Sequence, residues 1–345
     1  MCHHYQQDLN ISFERGFNFY GGGFPVSTMV ELFFIISGFL TFTAIEKCDD
    51  FKNAREFLTK KYLRFLPMLS STVTVCLILE IVEKRLFDAT VEYGVLDYII
   101  SVLGIGAWLT DGNLINNPIW YISVLLWCYV LFAVVGLFSS GIGKEDNRRK
   151  TVTAAEVLFV CIVALGLFMR WACEFNNVSY PLFNSRISRG LICFFLGVLL
   201  RDLADRLTLG TRKWSLAIEA VLAAGLLLTY KFNTPWLTGA DGTRLYYVLC
   251  FLLYPCLVLI FTSDFAAGLS DCKIFSRLGN ISYLAFMWHI CVLELLKIAS
   301  YPVSIPFQSR WFMWIYVMIA LGVGAIADLR SKLWIFHFTK TKKFW

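Results

Sequence analysis

Residues 26–45 read VSTMVELFFIISGFLTFTAI, a run in which Glu31 is the single ionisable side chain among apolar and hydroxylated neighbours. The hydrocarbon core of a bilayer is about 30 Å thick, and a helix needs about 20 consecutive apolar residues to cross it. The stretch therefore predicts a membrane span. Outward from it, comparable runs recur at roughly 66–83, 118–138, 153–170, 187–204, 214–230, 245–262, 280–298 and 311–328, making nine visible spans. A weaker run, Val95–Trp108, is short and carries Asp97 with glycines close by; it reads as re-entrant or interfacial.

Composition agrees with this reading. The chain has 345 residues, 58% hydrophobic and 16% charged, with mean hydropathy +0.63. A soluble domain is about 45–50% apolar and about 25% charged. A soluble enzyme, a secreted disulfide scaffold and a disordered tail are excluded. The expected fold class is an all-α polytopic helical bundle in a lipid bilayer. The net charge of +6 needs no nucleic acid partner, because Lys and Arg of membrane proteins collect in cytoplasmic loops. Of eleven cysteines, Cys76, Cys128, Cys161, Cys193, Cys250, Cys256 and Cys291 lie within apolar runs and read as small hydrophobes. No C-x-x-C pair occurs, so neither a metal site nor a disulfide framework is expected.

Charge sets the expected orientation. With Phe13–Pro25 outside, the inner segments are loops 46–65, 139–152, 201–213 and 263–277 and the tail from 329. Together they hold 21 of the 31 Lys and Arg residues. This asymmetry follows the positive-inside rule, requires that 95–108 not span, and places the C-terminus in the cytoplasm. Nine spans then put the N-terminus outside, although MCHHYQQDLN is no signal peptide. One further helix ahead of residue 1 resolves the conflict, giving an expected ten; a genuine N-out chain is the alternative. With no repeat or soluble domain in view, residues 1–345 read as a single membrane domain apparently lacking its first helix.

Ionisable residues at mid-bilayer cost about 2.5–3.5 kcal/mol on insertion scales and are functional suspects. Glu31 lies near the outer end of the first visible span, and His289 lies near the middle of the eighth, in ISYLAFMWHICVLEL. His3 and His4 open the chain, where a preceding helix would deliver them to the outer surface. Histidine exchanges a proton near neutral pH and suits general base work, but it also serves as hydrogen-bonding glue between helices. Glu31 can equally be paired with an arginine of another helix. Trp120 and Tyr121, in NNPIWYISVLLW, start a span where an aromatic belt is expected. Arg186 and Arg189 precede GLICFFLGVLL and suit an anionic group or an interface. Lys60, Lys61 and Arg64 in KKYLRFLP read as a topology signal or a phosphate-binding patch.

Taken in order, these segments resemble acyltransferase family 3. VELFFIISGFL is similar to its helix with an acidic residue before LFF and SGF after it; KKYLRFLP resembles its basic run and proline. NNPIWYISVLLW is similar to its Pro–Trp–aliphatic–Ser segment, and SRGLICFFLGVLL to its Arg–Gly helix start with a later FxxG. LGNISYLAFMWHI is similar to its ISYxxYLxH segment, with Phe286 where Tyr is usual. The resemblance covers His3 to about Arg330. It implies a ten-helix membrane enzyme that moves an acyl group, usually acetyl, from cytoplasmic acyl-CoA to a hydroxyl of a cell-surface polysaccharide or glycolipid. It also implies a bacterial plasma membrane and no bound cofactor.

The resemblance places the family's essential histidine at His3 or His4, with His4 preferred as base or transient acyl carrier. Glu31 would orient it or pair with a cation, and His289 would shuttle a proton or shape the donor channel. Arg189 would steady the thioester or a sugar group, and Lys61 and Arg64 would hold the CoA phosphates. Trp120, Tyr121, Ser282 and Tyr283, inside the matched segments, complete the expected substrate-binding set. The competing expectation is a transporter or flippase of an amphiphilic sugar or lipid, since intramembrane His, Glu and Arg also suit a proton-coupled carrier.

Overall fold

The structure, a computed structural model, describes residues 1–14, 17–21, 26–88, 90, 93–110, 112, 114–142, 148–207, 214, 217–222, 224–225, 243–261 and 273–341. Its elements in chain order are helices α1 (Cys2–Asp8), α2 (Met29–Thr41), α3 (Phe51–Leu86), α4 (Val95–Val102), α5 (Gly106–Leu109), α6 (Trp120–Ile142), α7 (Arg148–Asn176) and α8 (Ser185–Leu207). After these come α9 (Thr243–Val248), a π-helical turn (Leu249–Leu253), α10 (Tyr254–Phe261), α11 (Lys273–Ala299) and α12 (Arg310–Thr341). No strand occurs among the described residues. The fold is an all-α polytopic membrane bundle.

Seven helical segments among the described residues are long and apolar enough to cross a bilayer: Val26–Ile45, Phe51–Leu86, Asn117–Gly141, Thr153–Asn176, Arg244–Phe261, Arg277–Ala299 and Arg310–Leu329. The count differs from the nine expected in two places. The span at 187–204 is a helix, α8, but Arg186, Arg189, Arg201 and Asp202 charge its two ends. Of the span at 214–230 only 214, 217–222 and 224–225 are described, all helical, and the inner loop at 263–277 lies outside the described residues up to 272. The run Val95–Trp108 forms two short helices broken at Gly104, whose φ of +69° suits glycine. At 1.5 Å per residue neither can span.

The segment 46–65, expected as a loop, is corrected to helix from Phe51 onward. Asp50 caps α3 by accepting the Asn53 N–H at 2.7 Å, and Glu56 pairs with Lys60 one turn on. Its 36 residues run about 54 Å, well past the hydrocarbon core. Pro67 marks the change from a charged, exposed half to an apolar one. Likewise the last span continues past 328 as helix to Thr341.

The core sits around α8, which packs chiefly against α2 and α7. Ile187, Ile192, Cys193, Phe194, Phe195 and Val198 are wholly buried. The α2–α8 approach is possible only because two glycines face across it. A Cβ on Gly38 would lie 1.8 Å from the Phe194 carbonyl oxygen, and one on Gly197 would lie 2.1 Å from that of Ile35. Small residues at such crossings let backbones touch where lipid offers no hydrophobic drive for association. A second, smaller cluster of Tyr5, Ile11, Phe13, Val292, Leu293, Met313 and Tyr316 seats the N-terminal segment on α11 and α12. The Tyr5 hydroxyl donates to the Phe307 carbonyl at 2.7 Å.

Candidate active site

That seat positions two histidines. Gln6, wholly buried, accepts the Phe19 N–H at 2.6 Å through Oε1 and donates through Nε2 to Asn18 at 2.8 Å. The segment after α1 is thereby folded back over it. His3 is drawn into this fold: its Nδ1 lies 2.8 Å from the Phe19 carbonyl, and its ring stands edge-on to Tyr20. His4 faces the other way. Its ring centroid lies 5.3 Å from that of His289, bringing together histidines from opposite ends of the chain.

His289 is wholly buried on α11. Its Nδ1 lies 2.5 Å from the Phe286 carbonyl, which can only accept, so Nδ1 carries the proton and Nε2 holds a lone pair. That Nε2 is buried without a partner among the described residues. A buried polar atom left unpaired costs about 1–3 kcal/mol. The ring is otherwise fixed by Phe286, 5.6 Å away, and its backbone carbonyl accepts from the Tyr316 hydroxyl at 3.3 Å. Outside the spans, burial lowers the His4 imidazole from its usual 6.5 to about 3, so His4 is neutral at physiological pH.

The second constellation is an ion pair between α2 and α8. Arg189 Nε donates to Glu31 Oε1 at 2.5 Å, and Nη2 donates to Oε2 at 2.9 Å and to the Ser27 carbonyl at 3.1 Å. Glu31 is wholly buried, and the Arg189 side chain is 22% exposed. The cation beside Glu31 is Arg189. The guanidinium also lies 4.8 Å from the Trp120 ring centroid, a cation–π contact. Aromatic rings connect the two constellations: Trp120 to Phe34 at 6.2 Å, Phe34 to Tyr121 at 4.6 Å, Tyr121 to Phe286 at 6.2 Å, then His289. Tyr121 is held by Ser37, whose hydroxyl lies 3.0 Å from its own.

Other expected residues stand further off. Ser282 is exposed and donates to the Gly279 carbonyl at 2.9 Å. The Tyr283 hydroxyl is buried without a partner among the described residues, and its ring packs on Phe65. Lys61 lies over the Tyr129 ring at 4.6 Å and Phe57 at 5.5 Å, while Arg64, one turn on, is exposed. A cavity of about 600 Å³ opens between the end of α2 and the start of α3, lined by Lys47, Lys60 and Lys61 together with Asp49 and Glu56.

Two features were not singled out from sequence. Asn116, wholly buried just before α6, donates to the Met287 carbonyl at 3.1 Å, bracing the turn of α11 that carries His289. A polar cavity of about 290 Å³ is lined by Asp8, one turn after His4, and by Ile290, next to His289. Glu80, Glu83, Lys84, Asn117, Glu294 and Lys297 also line it, with Lys297 and Glu294 paired at 2.8 Å. The recurrence of Glu80 with Glu83 and of Glu294 with Lys297 at helical spacing is the signal that could have found this cavity. Each pair taken alone reads as a span's wet end.

A family model described as an acyltransferase domain, that of acyltransferase family 3, matches residues 1–328, and the chain belongs to that family. It is a multi-pass membrane acyltransferase. No curated protein and no solved structure matches it.

Proposed function

We propose that the protein transfers an acyl group, acetyl in the first instance, from acyl-CoA to a hydroxyl of a cell-surface polysaccharide or glycolipid. The observation that carries this reading is the His4–His289 pair, whose His289 Nε2 is buried without a partner among the described residues, on the helix that lines a polar cavity through Ile290, Glu294 and Lys297. The acceptor hydroxyl enters that cavity and gives its proton to the histidine pair as its oxygen attacks the thioester carbonyl. His4 acts as the base, and His289 relays the proton. The tetrahedral intermediate then collapses, the CoA thiolate leaves, and the imidazolium returns the proton to it. A positioned base contributes about 10²–10⁴-fold, and a fixed donor for the oxyanion often contributes more.

Arg189, held rigid by Glu31 and Ser27, supplies that positive charge to the acyl or sugar oxygens, with Trp120 and Tyr121 as the apolar wall. On this reading the CoA nucleotide lies at the opposite end, in the cavity between α2 and α3, where Lys47, Lys60 and Lys61 line the wall and, with Arg64 one turn beyond Lys61, hold its phosphates. Ser282 and Tyr283, on α11 ahead of His289, are assigned to substrate binding. The protein sits in a plasma membrane with its C-terminus in the cytoplasm.

The test uses membranes containing the full-length protein, labelled acetyl-CoA, and recovery of the glycan and glycolipid fractions. Label in those fractions that is lost in His4→Ala and His289→Ala supports the reading. Acceptor that crosses the membrane without gaining label, in folded protein, overturns it in favour of carriage without chemistry.

A further inference from the structure

Cys76 on α3 and Cys291 on α11 are far apart in sequence and read separately as small hydrophobes. In the fold their Sγ atoms lie 2.7 Å apart. Both are buried, at 1% and 3% exposure, and the Cys291 thiol also lies 3.4 Å from the Thr72 carbonyl, one turn before Cys76. Two facing turns are thus in register, with no chain segment between the sulfurs. A disulfide requires Cβ atoms about 3.5–4.5 Å apart on facing backbones and a bond of about 2.05 Å, so closure needs only a small approach. Access is present as well, because Cys76 lines the polar cavity that Asp8, Glu83 and Glu294 share. The two residues after His289 end at Cys291, so a bond here would tie the histidine's helix to α3.

We propose that Cys76 and Cys291 are a disulfide-forming site, oxidised by thiol–disulfide exchange with a small disulfide that enters the polar cavity. The Cys76 thiolate attacks one sulfur of R–S–S–R, forming a mixed disulfide and expelling R–S⁻, which takes up the Cys76 proton. The Cys291 thiolate then attacks the Cys76 sulfur, expelling the second R–S⁻, which takes up the Cys291 proton. Two thiols are oxidised to one disulfide, and one R–S–S–R is reduced to two R–SH. This inference stands apart from the acyl-transfer reading, since it needs neither substrate.

The test is made on the purified full chain in detergent, reduced, freed of reductant, and treated with dithiodipyridine. Remaining thiols are alkylated under denaturing conditions and peptides are analysed by mass spectrometry. The expected result is a peptide pair joined through Cys76 and Cys291, lighter than the separate peptides by two hydrogens, whose formation releases thiopyridone. The joined pair disappears in Cys76→Ser and in Cys291→Ser, each checked for folding by its elution profile. Recovery of both cysteines alkylated, or of two separate mixed disulfides, from folded wild-type protein overturns the proposal. The same alkylation applied to cells at lysis, with no oxidant added, reports whether a cellular disulfide reaches the site.

Discussion

Replacement of Arg189 by leucine isolates the energetics of the ion pair that joins α2 to α8. The structure sets the size of the effect. Glu31 is wholly buried and meets Arg189 through two charge-assisted bonds at 2.5 and 2.9 Å. Unit charges about 4 Å apart at an effective dielectric of about 20 interact by about 4 kcal/mol. Removing one partner of a buried pair strands the other and costs about 3–5 kcal/mol, whereas replacing both by apolar groups is often neutral. Arg189→Leu should therefore cost about 3–5 kcal/mol, a fall in unfolding midpoint on the order of 10 °C. Glu31→Leu with Arg189→Leu should recover most of that loss. The assay is thermal unfolding of detergent-solubilised protein, followed by tryptophan fluorescence, for wild type, both single variants and the double variant. A single variant as stable as wild type, or a double variant as unstable as the singles added together, would refute the reasoning. Acyl transfer measured on the same four proteins separates stability from chemistry, and the stable double variant should remain inactive if Arg189 acts on the substrate.

Three further outcomes are expected. Gly197→Ala should lower the unfolding free energy by about 1–3 kcal/mol or more, because its Cβ meets the Ile35 carbonyl at 2.1 Å; Gly141→Ala, with open space around it, is the control and should be neutral to slightly stabilising. The folded state holds His4 at about 3 against 6.5 unfolded, so between these values the unfolded chain binds more protons and stability falls as pH drops from 6.5 toward 3. His4→Gln should flatten that part of a stability-versus-pH curve, measured by chemical denaturation at constant ionic strength. Lys61→Ala with Arg64→Ala should raise the KM for acyl-CoA about tenfold, equivalent to about 1.4 kcal/mol, with kcat little changed; initial rates against acyl-CoA concentration report it.

Much of the bundle is legible because its causes are local. The run around Glu31 had to cross the bilayer, since an unpaired backbone in hydrocarbon has no partner except its own helix. The segment 51–65 was misread for the complementary reason. Its charges mark it as wet, yet a helix can project beyond the bilayer when an Asp50 cap and i,i+4 pairs support it. Arg186 and Arg189 offered the same ambiguity. Spacing cannot tell which arginine answers Glu31; the α2–α8 crossing settles it, since Gly38 and Gly197 bring those backbones into contact.

The site divides along the same line. The amino-acid sequence alone determined that the chain is helical and membrane-embedded, and that its rare intramembrane His, Glu and Arg are costly enough to need a reason. It also carried the ordered motifs of the family. Only the tertiary structure decided that His4, and not His3, packs against the His289 ring, that Glu31 belongs to Arg189, and that Asp8, Glu83 and Glu294 share a cavity. The physical reason is range. Hydropathy and helix periodicity act over a few turns of one segment. Two apposed histidines, a buried ion pair or two facing thiols depend on atoms a few ångströms apart on helices distant in sequence, and packing alone sets those distances.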